Sequence, residues 1–310
     1  MNILLTSVGC MGYIGLIKAF QESDCKVFGV DCSKDAVGFN FCDGFAIVSH
    51  ADKEEYVGEL LKVCEKHSIE LLIACSDNEI LKVGEHRAMF ESLGVSVLLP
   101  SNNSLNICDN KRLFYERLSS WGLNHPTVRA PLDAEFPAIL KPNVGKGSEG
   151  VRLINNISEI PDNSLPPKYS LLDEGYLLQD FIEGDEYTVD VLASKSSVVL
   201  SMVQRKRTRI ESGISVAAEV VEDEEGKAIC SQLNDRLLMC GMYCVQYIKN
   251  HSGVYILEVN PRFGGGSVLS LRADPTIILN YLNIAQDEPI EKLSNPKIMK
   301  MKRYYAEIYE

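Results

Sequence analysis

No C-x-x-C pair, no internal repeat, no low-complexity tract and no apolar run near the roughly 20 residues that span a bilayer occur in this 310-residue chain. A membrane span is thereby excluded. The ten cysteines (Cys10, Cys25, Cys32, Cys42, Cys64, Cys75, Cys108, Cys230, Cys240 and Cys244) lack the spacing of a zinc site or a disulfide framework. Most sit in apolar runs such as LLIAC and FGVDC, where a thiol behaves as a small core residue. Basic residues are also in deficit, with 31 Lys and Arg against 43 Asp and Glu and a net charge of −12. That balance repels a phosphate backbone and disfavours nucleic acid as a partner, but it permits a local basic pocket for a small phosphorylated ligand. The opening MNILLTSVGC has no basic flank and runs into a glycine turn, so it reads as a first strand and not as an export signal. A cytoplasmic location is expected.

What is present suggests two or three packed units. Over the first hundred residues, NILLTSV, GLIKAF, KVFGV, YVGELLKVCEKH, LLIACS and VSVLL alternate strand-like and helix-like texture, the pattern of a small parallel sheet covered by helices. The rhythm breaks at Pro100-Ser101-Asn102-Asn103, and a helix is expected from about residue 110 to 120, ending at Trp121-Gly122. From about residue 130 the texture is α+β and mostly antiparallel: FPAILKP, GVRLI, YLLQDFI, YTVDVLA, SVVLSMVQ, YCVQYIK and VYILEVN, with one helix at roughly 227–240 and MKRYYAEIY as a last strand. Pro161, Pro166 and Pro167 forbid a long helix between residues 155 and 169.

The sharpest chemical signal is MYCVQYIKNHSGVYILEVNPR. Glu258 and Asn260, two apart on a strand, share a face, and a lone carboxylate in so apolar a run requires a cation. With His251-Ser252-Gly253 as a three-residue loop, Gln246 falls opposite Glu258 across the hairpin. Three oxygen-bearing side chains without cysteine or histidine suit Mg²⁺ better than zinc. The plainer alternative is a salt bridge between Glu258 and Arg262. The following Phe263-Gly264-Gly265-Gly266-Ser267 lets backbone N–H groups approach a ligand, and Arg262 suits phosphate oxygens.

A second signal is AILKPNVGKGSEGVRLI, in which Lys141 ends a strand and Gly145, Lys146, Gly147, Ser148 and Gly150 form a strand–loop–strand phosphate lid. It is not a P-loop, which requires G-x-x-x-x-G-K-[ST] leading into a helix. In LLQDFIEGDEYTVDVLA, the residues Gln179, Asp180 and Ile182 offer groups for an adenine edge and Glu186 a carboxylate for ribose hydroxyls, while Asp190 is either a supporting acid or a solvent-facing strand residue. The basic run Arg205, Lys206, Arg207, Arg209 precedes Ser212-Gly213-Ile214-Ser215, a segment expected to close as a loop over anionic intermediates. In the first lobe, Gly9, Gly12 and Gly15 followed by Asp31 depart from the G-x-G-x-x-G dinucleotide spacing, which leaves a substrate cradle at the helix start. Ser76-Asp77-Asn78-Glu79 follows a strand and is either a ligand-facing segment or a helix cap.

Taken in order, Asp109-Asn110-Lys111, AILKP with its glycine lid, QDFIEGDEYTVDV, the RKR stretch and VQ leading to LEVNPR resemble the ATP-grasp superfamily over nearly the whole chain. More narrowly, the chain resembles stand-alone proteins similar to the carbamoyl-phosphate synthase large subunit. The resemblance implies a fold that is α/β plus α+β: a Rossmann-like pre-ATP-grasp lobe (1–108), then a two-part ATP-grasp domain (109–310), with a smaller lid-bearing part (109–180) and a larger metal-bearing part (181–310). It implies ATP and Mg²⁺ as cofactors, with Mn²⁺ able to substitute. Lys111 and Lys141 would meet ATP, the lid with Gly145, Lys146, Gly147 and Ser148 would cover its phosphates, Gln179, Asp180 and Ile182 would hold adenine and Glu186 ribose. Gln246, Glu258 and Asn260 match the metal ligands. Arg262, Lys141 and, from the basic run, Arg209 are expected to stabilise the transferring phosphoryl group. The expected activity is ATP-dependent ligation of a small carboxylate to an amine, or to a thiol, through an acyl phosphate, with a homodimer as the default assembly. The alternatives are a carbamate- or bicarbonate-phosphorylating enzyme, a nucleotide-binding module without turnover and, from the first-lobe glycines, a dehydrogenase.

Overall fold

Short, mostly apolar strands alternate with amphipathic helices in the first lobe: β1 (Asn2–Leu5), α1 (Ile14–Gln21), β2 (Lys26–Asp31), β3 (Gly44–Ile47), α2 (Tyr56–His67), β4 (Leu71–Ile73), α3 (Asp77–Glu85), α4 (Arg87–Ser92) and β5 (Ser96–Val97). The computed structural model describes residues 1–145, 149–160, 175–211, 213–291 and 295–309. Lys146, Gly147 and Ser148 of the expected lid, Ser212 and the prolines at 161, 166 and 167 lie outside the described residues. The five strands pair in parallel in the order β3-β2-β1-β4-β5. Ile3, Leu4, Leu5, Leu71 and Leu72 are buried, as expected for a parallel sheet covered on both faces. The carboxyl ends of β1 and β4 deliver Ser7 and Ser76-Asp77 to the crevice where open α/β sheets bind ligands.

Two helices lead out of this lobe, α5 (Asn102–Asp109) and α6 (Lys111–Ser120). The second is the expected helix. Its N-cap, Asn110, accepts from the Leu113 amide at 3.0 Å, and the chain leaves it at Trp121 with Gly122 at φ +70°. The first occupies the stretch expected to be a break. The turn-forming residues there act as a helix start, with Ser101 Oγ accepting from the Ser104 amide at 3.2 Å.

The second half contains two antiparallel sheets. In the smaller, β6 (Ala138–Pro142) lies between β7 (Arg152–Ile154) and β8 (Tyr176–Asp180). The larger runs β13-β12-β9-β10-β11-β14, from β9 (Asp185–Ala193), β10 (Val199–Glu211), β11 (Ile214–Val221), β12 (Gly241–Asn250), β13 (Gly253–Asn260) and β14 (Lys300–Lys302). The architecture is therefore the expected α/β lobe followed by an α+β half in two parts. Three expectations are corrected. The basic run lies inside β10, and Ile214 and Ser215, expected in the closing loop that follows it, belong to β11. Besides α7 (Glu224–Leu237), two helices follow the glycine turn, α8 (Ser267–Ala273) and α9 (Thr276–Gln286). Buried residues ring much of α9 (Ile277, Ile278, Asn280, Tyr281, Leu282, Ile284, Ala285), so its sequence lacks the polar stripe that marks a surface helix. The last strand shrinks to three residues, and Tyr304, Tyr305 and Tyr309 beyond it are exposed.

The first lobe and the larger sheet share a core. Phe20 packs edge-on against Phe263 at 5.9 Å, and Phe263 against Tyr281 at 5.1 Å. The same junction explains Gly12 and Gly15: a Cβ at position 15 would stand 2.6 Å from Val268 Cγ1, and one at position 12 would stand 3.0 Å from the Gly265 Cα. Their lack of side chains lets α1 approach α8.

Candidate active site

The hairpin of β12 and β13 brings Gln246 opposite Glu258, by a different route from the one expected. The turn holds two residues, His251 and Ser252, between the paired Asn250 and Gly253, which alone would misalign the two side chains. A bulge then leaves Leu257 without a partner and restores the Gln246–Glu258 pairing. Asn260 Nδ2 donates to Glu258 Oε1 at 2.9 Å. All three residues line a cavity of about 650 Å³ between the two antiparallel sheets and the first lobe. Their oxygen-only donor set fits a hard cation such as Mg²⁺. The alternative pairing of Glu258 with Arg262 is not what forms: Arg262 Nε donates to Asp77 Oδ1 at 2.7 Å and Nη2 to Asp77 Oδ2 at 3.3 Å. Asp77 opens α3 beside the Ser76–Glu79 capping box, so that segment is both a cap and part of the cavity wall.

The opposite wall comes from the smaller sheet and α6. Lys141, 7% exposed, donates from Nζ to Tyr115 Oη at 2.7 Å. Burial pushes the Lys141 ammonium down to about 8, against the opposing attraction of Glu258. Lys111 is also held below the ordinary lysine range by burial, again opposed by Glu258, and its Nζ donates to the Gly145 carbonyl at 3.0 Å. Asn143 braces the start of α6, its carbonyl accepting from the Lys111 amide at 3.2 Å and its Oδ1 from the Arg112 amide at 2.9 Å.

On β8, Gln179 is 4% exposed and its Oε1 has no hydrogen-bond partner, although it borders the cavity. A buried orphan acceptor costs about 1–3 kcal/mol unless a ligand donor meets it. Asp180 departs from expectation. Its carboxylate is held by Arg129 in a two-point pair, Nε–Oδ1 and Nη2–Oδ2 both at 2.8 Å, and its amide donates to the Thr127 carbonyl at 2.9 Å, so the side chain is committed to the protein and not to adenine. Ile182 and Glu186 border the same cavity.

The basic run divides by face. Arg205 and Asp190 form a buried pair at 2.7 Å, and Asp190 also accepts from Cys244 Sγ, Ser267 Oγ and Ser270 Oγ. Asp190 is thus a core acid and not a solvent-facing one. Arg207 lines the cavity and holds Glu186 together with Gln246 Oε1, the latter at 3.0 Å. Arg209 does not line it. The β10–β11 register slips at Thr208, which turns Arg209 outward, 69% exposed and paired with Glu211. The expectation that Arg209 acts on the phosphoryl group is corrected accordingly; the arginines at the cavity are Arg205, Arg207 and Arg262.

In the first lobe, Ser7, Cys10, Tyr13, Cys75 and Asp77 close the cavity. Asp31 is turned to the chain itself, accepting from the Gly9 amide at 2.7 Å. Glu79, buried, accepts from Thr6 Oγ1 at 2.6 Å and from Ser7 Oγ and Ser76 Oγ at 2.7 Å, fixing the ends of β1 and β4. Tyr115 and Arg129 escaped the sequence reading. For Tyr115 a signal existed: it lies four residues after Lys111 on the same helix, hence on the same face.

Residues 108–266 match the ATP-grasp domain family, and residues 3–98 match the PylC-like N-terminal domain. Among solved structures, the chain is similar to the biotin carboxylase of Campylobacter jejuni in its β,γ-ATP complex, at 15% identity and a TM-score of 0.74, over 96% of this chain and 73% of that one. It is similar to the biotin carboxylase domain of the Hydrogenobacter thermophilus 2-oxoglutarate carboxylase, solved with MgADP and bicarbonate, at 14% identity and a TM-score of 0.71, over 96% and 71% of the two chains. It is also similar to an L-amino acid ligase from Bacillus licheniformis, at 16% identity and a TM-score of 0.68, over 92% and 74%. At these identities the likeness is one of fold.

Proposed function

The chain belongs to the ATP-grasp family, and from that premise we propose that it is an ATP-dependent ligase joining a small-molecule carboxylate to an amine through an acyl phosphate. The observation that carries this reading is the convergence on one cavity of Gln246, Glu258 and Asn260 from the larger sheet, Lys141 and the orphaned Gln179 from the smaller one, and Lys111 from α6.

Gln179 Oε1 would accept from the exocyclic amino group of adenine, a donor that guanine lacks at that position, and Glu186 would accept from ribose hydroxyls. Lys111 and Lys141 would donate to phosphate oxygens, and Gln246, Glu258 and Asn260 would hold Mg²⁺. Bound Mg²⁺ supplies charge neutralisation across the phosphates. As a substrate carboxylate oxygen bonds to the γ-phosphorus, the bond from that phosphorus to the ADP oxygen breaks, and Arg262, held by Asp77, would neutralise the transferring group. The amine nitrogen then bonds to the acyl carbon and loses a proton, and phosphate leaves. A protein nucleophile is not required. Arg207, which holds Glu186 and Gln246 here, would neutralise the Glu186 carboxylate and donate to the Gln246 amide oxygen until ribose and metal replace it.

A panel of amino acids and small acids, each with an amine acceptor, tests the reading by ADP release and product mass. Bicarbonate-dependent phosphate release would favour the carbamate- or bicarbonate-phosphorylating alternative, and nucleotide binding without turnover would favour a binding module. Glu258→Gln should abolish Mg²⁺-dependent turnover and leave the fold near intact. Unchanged turnover in that variant would remove the metal assignment.

A further inference from the structure

Resting on the nucleotide reading above, we propose that Tyr115 is a positioning residue of the site: its hydroxyl fixes Lys141 of the smaller sheet relative to the bulge that presents Glu258 on the larger one. The smaller sheet supplies Lys141 and the larger one Leu257, and a residue between them can tie one to the other. Tyr115 does so with a single atom. Its hydroxyl donates to the Leu257 carbonyl at 2.9 Å and accepts from Lys141 Nζ at 2.7 Å. Leu257 is the bulged residue whose insertion sets Glu258 opposite Gln246.

The hydrogen-bond capacity of the two groups fits this role. A phenol has one proton to give, and here it goes to the carbonyl, so the oxygen faces Lys141 only as an acceptor. An ammonium has three protons, and one directed at Tyr115 leaves two for a ligand. The ring itself is fixed. Tyr115 is buried, His125 stacks on it at 5.1 Å and 12°, and Lys141 Nζ lies 5.0 Å from the ring centroid. Of the rotamers open to a long lysine side chain, this arrangement selects one before a ligand arrives, which lowers the ordering cost of binding.

The alternative is that Tyr115 only fills the core, and a double-mutant cycle separates the two on the full-length chain. MgADP affinity is measured by calorimetry, and melting temperature alongside it, for the wild type, Tyr115→Phe, Lys141→Met and the double variant. Tyr115→Phe keeps the ring, its stack and its burial. It should weaken MgADP about tenfold, the scale of a hydrogen bond to a charged group, but less than about threefold in the Lys141→Met background. A fall in melting temperature with unchanged affinity in Tyr115→Phe, or an equal loss of affinity in both backgrounds, would overturn the positioning role and leave the nucleotide reading standing. Unchanged affinity in Lys141→Met would overturn both.

Discussion

Lys141 gives the site a pH dependence that can be worked out in advance. Burial brings its ammonium down to about 8 although Glu258 pulls the other way. Because this lies below the ordinary lysine value of about 10.4, the charge is lost as pH rises through about 8, two units earlier than for an exposed lysine. The ammonium form makes a charge-assisted bond to phosphate and the neutral amine does not. For a ligand that binds the charged form, the apparent dissociation constant scales as one plus the ratio of neutral to charged lysine. MgADP should therefore bind at nearly full strength at about pH 7 and about tenfold more weakly at about pH 9, a range in which phosphate groups are already ionised. Calorimetric titration at constant ionic strength across this interval measures it. Lys111, also lowered by burial, moves the profile in the same direction, so Lys141→Met is needed to isolate the step. A flat wild-type profile, or an identical slope in Lys141→Met, would refute the reasoning.

Asp190→Asn should cost about 3–5 kcal/mol of stability, because it leaves the buried Arg205 charge without its partner, whereas the double change Asp190→Leu with Arg205→Met should recover much of the loss; chemical denaturation of the three variants checks both. Arg207→Ala should weaken MgADP binding or Mg²⁺ dependence, since Arg207 orders Glu186 and Gln246, while Arg209→Ala should leave both within about twofold, as expected for an exposed pair. An Arg209→Ala defect larger than that of Arg207→Ala would reverse the division of the basic run.

The elements legible in sequence were those whose pattern is local. The parallel lobe was readable because its short strands are mostly apolar and alternate with helical segments, and α6 because Asn110 and Gly122 mark its ends. Helices α5 and α9 were not. The first begins in residues that favour turns as strongly as caps, and the second is buried on too many sides to show a period. Asp190 was ambiguous for a related reason. Alternation along β9 says which residues share a face, but not that α8 covers that face with Ser267 and Ser270. The Asp77–Arg262 pair joins residues 185 positions apart, and no local pattern carries that separation.

Two single-residue irregularities decide the composition of the site. Alternation predicts faces only while the ladder is regular, and each bulge reverses it. At Leu257 the reversal compensates for a turn one residue shorter than expected, so Gln246 and Glu258 still meet. At Thr208 the shift takes Arg209 off the face that Arg207 keeps, and the register is restored only from Ile210 onward, past Arg209. The same bulge at Leu257 is the one anchored by Tyr115, which makes its position a matter of tertiary hydrogen bonding and not of strand periodicity. It follows that removing this hydroxyl should release Lys141 from the bulge, whereas a change at an exposed position of the same helix, such as Glu116→Ala, should leave both in place.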